Sequence, residues 1–279
     1  MVNTETNEIE TSSAAEGGGR YRPKKRIWEI DVLRAFAFFY MVFDHLMFNL
    51  AFVFDDIWQT ANKNHFMRGV CDFAMSYRNS VFVDDYLRLL LCAGLFMVLS
   101  GISSSFSKNN LKRGVIIFGL AIGLTLFTYV LSIIMNSPFL IIRFGILHML
   151  GISIIAAHFL RKANVFVIIA LAAVCIFLGF YFAGMKMTEN QFLAMINMRW
   201  AKGFNSADYY PLLPNCGYFF AGLAIGKTLY KNRKSLLPSA DFAVWRPFKW
   251  ISRHCLILYF AHQVGLFVLL YLFGIIFIS

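Results

Sequence analysis

Charge is what this chain of 279 residues has least of: 15% of its residues are charged, against 59% hydrophobic. Such a balance excludes an ordinary soluble domain, the more so because the apolar residues come in runs of about 20, the length that crosses a bilayer. Acidic residues are the scarcer sign, 15 against 26 basic, for a net charge of +11. That excess does not indicate nucleic-acid binding, because the basic residues cluster in short segments between apolar runs, as the positive-inside rule produces. Cysteine is sparse too: of five, Cys92, Cys175, Cys216 and Cys255 fall in or beside apolar runs and Cys71 stands apart. No CxxC spacing occurs, which excludes a disulfide framework or a thiolate metal site, and no metal is expected. Residues 1–19, polar, small and Gly-rich, lack any apolar stretch and read as a disordered tail, not a cleaved signal peptide.

What is present is a polytopic pattern. Apolar segments near 30–54, 86–106, 112–135, 144–160, 164–184, 212–230 and 253–278 predict an all-α membrane helix bundle of about seven spans. Five basic residues in RYRPKKR precede the first span and put the N-terminus inside. On that alternation, seventeen of the 26 basic residues lie in inner segments and eight in outer ones. Two outer segments are long, 55–85 and 185–211. The second opens with Thr188-x-x-Gln191, a capping-box-like start to an interfacial helix, and ends in Asp208, Tyr209 and Tyr210. The pentapeptide GLAIG occurs at 119–123 and again at 222–226, small-xxx-small spacing that reads as helix packing in both places.

The first span holds the densest polar signal. RIWEIDVLRAFAFFYMVFDHLMFNLAFVF carries Asp31, Arg34, Asp44, His45 and Asn49. Ionisable groups at membrane depth cost roughly 3 kcal/mol each on insertion scales and therefore face a bundle interior or cavity. Eleven residues at 100° each put Arg34 and His45 on one face, roughly 16 Å apart along the axis. Asn49 extends that stripe by one turn, whereas Asp44, about 100° away, must look toward a neighbouring helix. Further polar groups sort by depth. Arg34, the Ser-rich end of span two (Ser100, Gly101, Ser103), Lys108, His262 and Gln263 fall toward the inside; His45, Asn49, His148 and Asp208 fall toward the outside. A donor held inside and an acceptor reached from outside would suit that division. A proton-coupled transporter is the alternative, since Asp and His in spans also build proton relays, although the inverted repeats and broken helices of transporters are not evident.

EIDVLRAFAFFYMVFDH resembles the first-helix motif of bacterial relatives of the heparan-alpha-glucosaminide N-acetyltransferase catalytic domain. LFMVLSGIS, FGILHMLGIS, DYYPLLPNCGYFFAGLAIGK and HCLILYFAHQ resemble later blocks of the same family in the same order, over about 27–270. The Arg-x10-His spacing is also similar to the acyltransferase 3 family of membrane enzymes. The resemblance implies a transmembrane acyltransferase domain over 20–279 in the cell membrane. It would move an acetyl group from cytosolic acetyl-CoA to an amino or hydroxyl group of an extracytoplasmic sugar or glycan. It implies His45 as the working base or acetyl carrier and Arg34 as its anion-binding partner. By depth and neighbourhood, Asp44 and His148 would stand with His45; Ser100, Gly101, Ser103, Lys108, His262 and Gln263 would join Arg34 on the coenzyme; and Asn49, Asp208 and Tyr209 would hold the acceptor. Ala35 stands where the family usually has Gly, and the animal branch makes His65, in the segment after this helix, a rival to His45. A homodimer is compatible with the pattern; a nucleic-acid partner is not expected.

Overall fold

A computed structural model of the chain describes residues 26–58, 65–80, 82, 87, 88, 90, 91, 94–134, 136, 140–184, 191–196, 206 and 208–278. The expected tail 1–19, the basic residues up to Lys25, Lys63, Asp84, Asp85, Cys92, Lys186, Thr188, Arg199, Trp200 and Lys202 lie outside the described residues. Among the described residues the regular elements are helices. They are α1 (Trp28–Asn49), α2 (Asp55–Trp58), α3 (His65–Arg78), α4 (Leu95–Phe106), α5 (Asn110–Ile134), α6 (Ile146–Phe159), α7 (Val165–Ala183), α8 (Gln191–Ile196), α9 (Leu212–Thr228) and α10 (Arg246–Ile278). This is the all-α membrane bundle that the apolar runs predict. Among the described residues four helices are long and apolar enough to cross a bilayer: Trp28–Phe54, Asn110–Ile134, Val165–Ala183 and Ala243–Ile276. The other three expected spans overlap α4, α6 and α9, which are shorter, at 12, 14 and 17 residues.

The outward faces are what makes this a membrane protein. Leu126, Phe127, Ile134, Phe166, Phe177, Ile257 and Ile276 are all at least 60% exposed, an apolar surface that water would not tolerate and lipid would. The polar and small residues turn inward instead. On α7 the buried residues are Ile168, Ala172, Cys175 and Gly179, one small-residue stripe at helical spacing that lets α9 approach closely.

Neighbouring helices pack in both parallel and antiparallel directions. α1 and α10 are parallel: Arg34 meets Ser252, His45 meets His262, Asn49 meets Gln263 and Phe54 meets Phe267. α4 and α9 are parallel as well, with Val98 against Gly222 and Ile102 against Gly226. α5 and α6 are antiparallel, pairing Gly114 with Ile155 and Phe118 with Gly151; so are α7 and α9, where Gly179 lies on Pro214 and Gly217 on Ile176.

Two expectations need correction here. Residues 55–85, read as a loop, contain the 14-residue helix α3. Its buried Met67, Cys71 and Ala74 recur at i, i+4 and i+7 and pack on Leu50, Phe54 and Trp58, so Cys71 is buried like Cys175, Cys216 and Cys255. The two GLAIG copies also differ. A Cβ on Gly222 would fall on the Val98 carbonyl, and one on Gly226 on Ser105; at Gly119 and Gly123 it would meet nothing within 4 Å. Small residues alone do not say which face is used; the partner helix does.

Gly222→Ala should therefore push α4 and α9 apart and lower stability by about 1–3 kcal/mol, the usual cost of overpacking. Gly119→Ala and Gly123→Ala should leave it unchanged or slightly raised. Thermal unfolding of the three variants in one detergent reads the contrast; equal losses at all three sites would contradict this packing.

Candidate active site

The polar face of α1 meets α10 along three pairs that mark successive depths. At the N-terminal end, Arg34 donates to Ser103 of α4 at 2.5 Å and to Ser252 of α10 at 3.1 Å. Asp31 is 3.5 Å from the Arg34 guanidinium and accepts from Ser252 at 2.8 Å and from Arg26 at 2.5 and 2.7 Å. Three turns further on, Nδ1 of His45 lies 2.7 Å from Nε2 of His262, the ring planes 24° apart. One turn beyond that, Gln263 donates to Oδ1 of Asn49 at 3.0 Å, and the buried amide nitrogen of Asn49 has no partner among the described residues. Beyond Asn49 the helix loosens into π turns over Leu50–Phe54, a feature common beside functional sites.

A cavity of about 30 Å³ opens beside the histidine pair, room for about two waters. Its walls include Ala37, Met41, Asp44 and His45 of α1, Phe96 of α4, Ile146 of α6, Asp208 and Tyr210 before α9, and Tyr259 of α10. Elements far apart in sequence therefore converge on His45. The segment before α6 and the segment before α9 pair as extended chains, with a Phe144–Tyr209 bridge and Tyr210 N–H donating to the Phe144 carbonyl at 3.0 Å. Extended backbone sends alternate side chains to opposite sides. Asp208 and Tyr210 consequently face the cavity while Tyr209 turns away and donates to the Ala194 carbonyl at 2.5 Å. Tyr209, expected among the acceptor ligands, is a strut between α8 and this segment.

Asp208 has a double role. Its Oδ2 accepts from the first backbone N–H of α6, at Ile146, at 3.0 Å, and from the Tyr259 hydroxyl at 3.3 Å. Burial pushes its carboxyl up to about 6, further than those two donors pull it back. A Cβ on Gly145 would fall on the Asp208 carboxylate and push it aside.

Other expected site residues take different places. Asp44 does face a neighbouring helix: it accepts from Arg78 at 3.1 Å, Arg88 at 2.8 Å and the Tyr77 hydroxyl at 3.3 Å. With both oxygens engaged by guanidinium groups it fixes α3 against α1 and leaves no free carboxylate for proton transfer. His148, expected beside the catalyst, uses both ring nitrogens for structure. Gly145 N–H donates to its Nδ1 at 3.2 Å, so Nε2 carries the proton and donates to Thr125 at 3.2 Å. His65 is exposed at the start of α3 and does not line the cavity.

On the expected coenzyme side, Gly101 is sealed into the α4–α9 crossing against the Phe219 carbonyl. Ser100 is buried in α4, and its carbonyl accepts from Ser104 at 2.8 Å. Lys108 is exposed just past α4. His262 and Gln263 sit level with His45 and Asn49, not with Arg34. Arg78, Arg88 and Tyr259 are the residues that sequence reasoning passed over. A buried Asp44 demands a cation, and that demand was the one available signal for the two arginines.

A polytopic helical bundle with a histidine pair beside a buried, carboxylate-bearing cavity defines a membrane-embedded site suited to moving protons and small groups. Residues 26–264 match the family model described as heparan-alpha-glucosaminide N-acetyltransferase, catalytic, and the chain belongs to that family. No curated protein and no solved structure matches it. Membership supports acetyl transfer, in general, as the activity of this membrane protein. Among the described residues no group of three or more His, Cys, Asp or Glu is placed to hold a metal ion.

The Asp208 carboxyl gives this site a measurable signature. Because the folded protein raises its pKa from 3.8 to about 6, the stability it contributes is present below about pH 4 and lost as pH rises through about 6. Asp208→Asn keeps an oxygen for the Ile146 N–H but cannot ionise. Its unfolding temperature should therefore drop less than that of the wild type between pH 5 and 7.5, the gap corresponding to about 1.4 kcal/mol, one pKa unit's worth. Parallel pH profiles for the two proteins would show that Asp208 does not titrate in this range.

Proposed function

We propose that the protein transfers an acetyl group from cytosolic acetyl-CoA to an amino or hydroxyl group of an extracytoplasmic sugar, with His45 as the base. The observation that carries this reading is the position of His45. It lines the cavity, and its Nδ1 is engaged by His262. Its Nε2 has no hydrogen bond to a described residue.

The reaction needs one proton moved and one bond exchanged. As the acceptor nitrogen or oxygen attacks the thioester carbonyl carbon, its proton passes to Nε2 of His45. The carbon–sulfur bond then breaks, and coenzyme A leaves as a thiolate that takes the proton back from the imidazolium. The acceptor would present its reacting group at this cavity, on the side walled by Asp208 and Tyr210.

Arg34 supports a coenzyme entrance at the other end. It stands roughly 16 Å from His45 along α1, a span an extended pantetheine arm can bridge. Among the described residues Asp31 is the acid paired with it, and Asp31 is already bound by Arg26 at 2.5 Å, so the Arg34 guanidinium retains positive character toward a phosphate.

His45→Ala should abolish acetyl transfer while acetyl-CoA still binds. Arg34→Ala should do the reverse, raising the coenzyme dissociation constant by about 10–100-fold, as loss of a charge-assisted contact worth about 1.5–3 kcal/mol does. Arg26 continues to neutralise Asp31 in that variant, so it should fold. Calorimetric titration with a non-transferable acetyl-CoA analogue, alongside turnover, separates the two. An active His45→Ala protein with an inactive His65→Ala one would move the chemistry to α3 and overturn the assignment.

A further inference from the structure

His262 was expected to contact the coenzyme, and its surroundings assign it a different task. Its Nδ1 lies 2.6 Å from the Tyr259 carbonyl oxygen, one turn back on α10. A carbonyl only accepts, so that nitrogen carries the His262 proton, and in a neutral ring Nε2 is then the acceptor. Nε2 of His262 is 2.7 Å from Nδ1 of His45, so the proton in that bond belongs to His45. With Nδ1 of His45 protonated, its Nε2 carries the lone pair.

We propose that His262 is a positioning residue that holds His45 in the Nδ1-protonated tautomer, leaving Nε2 free at the cavity wall as the proton acceptor. The inference rests on His45 being the working histidine. The direction of donation runs one way along the chain, from His45 through His262 to the Tyr259 carbonyl. A backbone carbonyl in the middle of α10 cannot rotate, so the direction is set by the helix and does not depend on a side-chain rotamer. The same Tyr259 places its hydroxyl 3.3 Å from Asp208 across the cavity, tying the ring orientation of the pair to the opposite wall. Phe38, 6.2 Å from the His262 ring centroid and edge-on at 75°, closes one side of that ring against rotation.

The consequence differs from that of a coenzyme ligand. Loss of a ligand raises KM for acetyl-CoA; loss of the tautomer lock removes the base from a fraction of the molecules and lowers kcat. His262→Leu should lower kcat by about 100-fold or more, the scale of general-base catalysis, with KM for acetyl-CoA unchanged. His262→Gln places an amide oxygen where Nε2 stood, so it should restore most of the rate. The direct readout is the solid-state nitrogen-15 spectrum of histidine-labelled protein in lipid, with the His45 signals assigned by their absence in His45→Gln. In the wild type and in His262→Gln, His45 should show a protonated Nδ1 and an unprotonated Nε2; in His262→Leu that pattern should give way to the Nε2-protonated form.

A wild-type His45 protonated at Nε2, or a tautomer unchanged in His262→Leu, would overturn the inference, as would a rise in KM with kcat intact. An active His45→Ala protein would instead remove the proposed reaction while leaving the spectroscopic result to decide the tautomer lock on its own.

Discussion

The hydrogen bond between His45 and His262 is the contact on which the rest of the site depends. Interhelical hydrogen bonds hold membrane helices together, and the two rings satisfy each other because α1 and α10 keep one register. The pairs above and below it, Asn49 with Gln263 and Arg34 with Ser252, hold that register along the seam. Everything that lines the cavity is referred to it. α4 is drawn in by Ser103 on Arg34. The start of α6 and the segment before α9 are joined by Asp208 and brought to α10 by Tyr259.

Asp44 shows how a buried charge is used for structure beside a site without serving its chemistry. Two guanidinium groups and a tyrosine hydroxyl surround it, so the desolvation cost of the carboxylate is offset at the point where α3 and the Arg88 segment press on α1. Its neighbour His45, one residue on, faces the opposite requirement: one nitrogen held, one left available. Adjacent positions on a helix point about 100° apart, which is how a single dipeptide holds both a clamp and the proposed base.

The fold was legible because its causes are local. Apolar runs of bilayer length, the asymmetry of Lys and Arg and the family blocks all act through composition and order, and they predicted an all-α membrane bundle. The stripe on α1 was legible for the same reason, since helical spacing alone puts Arg34, His45 and Asn49 on one face. What could not be read was pairing between helices. Register between α1 and α10 decides that His262 meets His45 and not Arg34, and no single helix carries that information. The same holds for Gly101, which looks like part of a polar Ser-rich end until α9 is laid across it. Tyr209 and Tyr210 are chemically alike in sequence, and only the extended pairing with Phe144 decides that Tyr210 faces the cavity.

The central claim is that one buried histidine stands between a donor on the inner side and an acceptor on the outer side. It is tested most directly in sealed right-side-out vesicles loaded with radiolabelled acetyl-CoA. Label should appear on an amino sugar supplied only outside, and this transfer should vanish in vesicles carrying His45→Ala. Transfer that occurs only when both substrates are on the inner face would contradict the account, because Asp208 and Tyr210 would then lie on the wrong side of His45 to receive the acceptor.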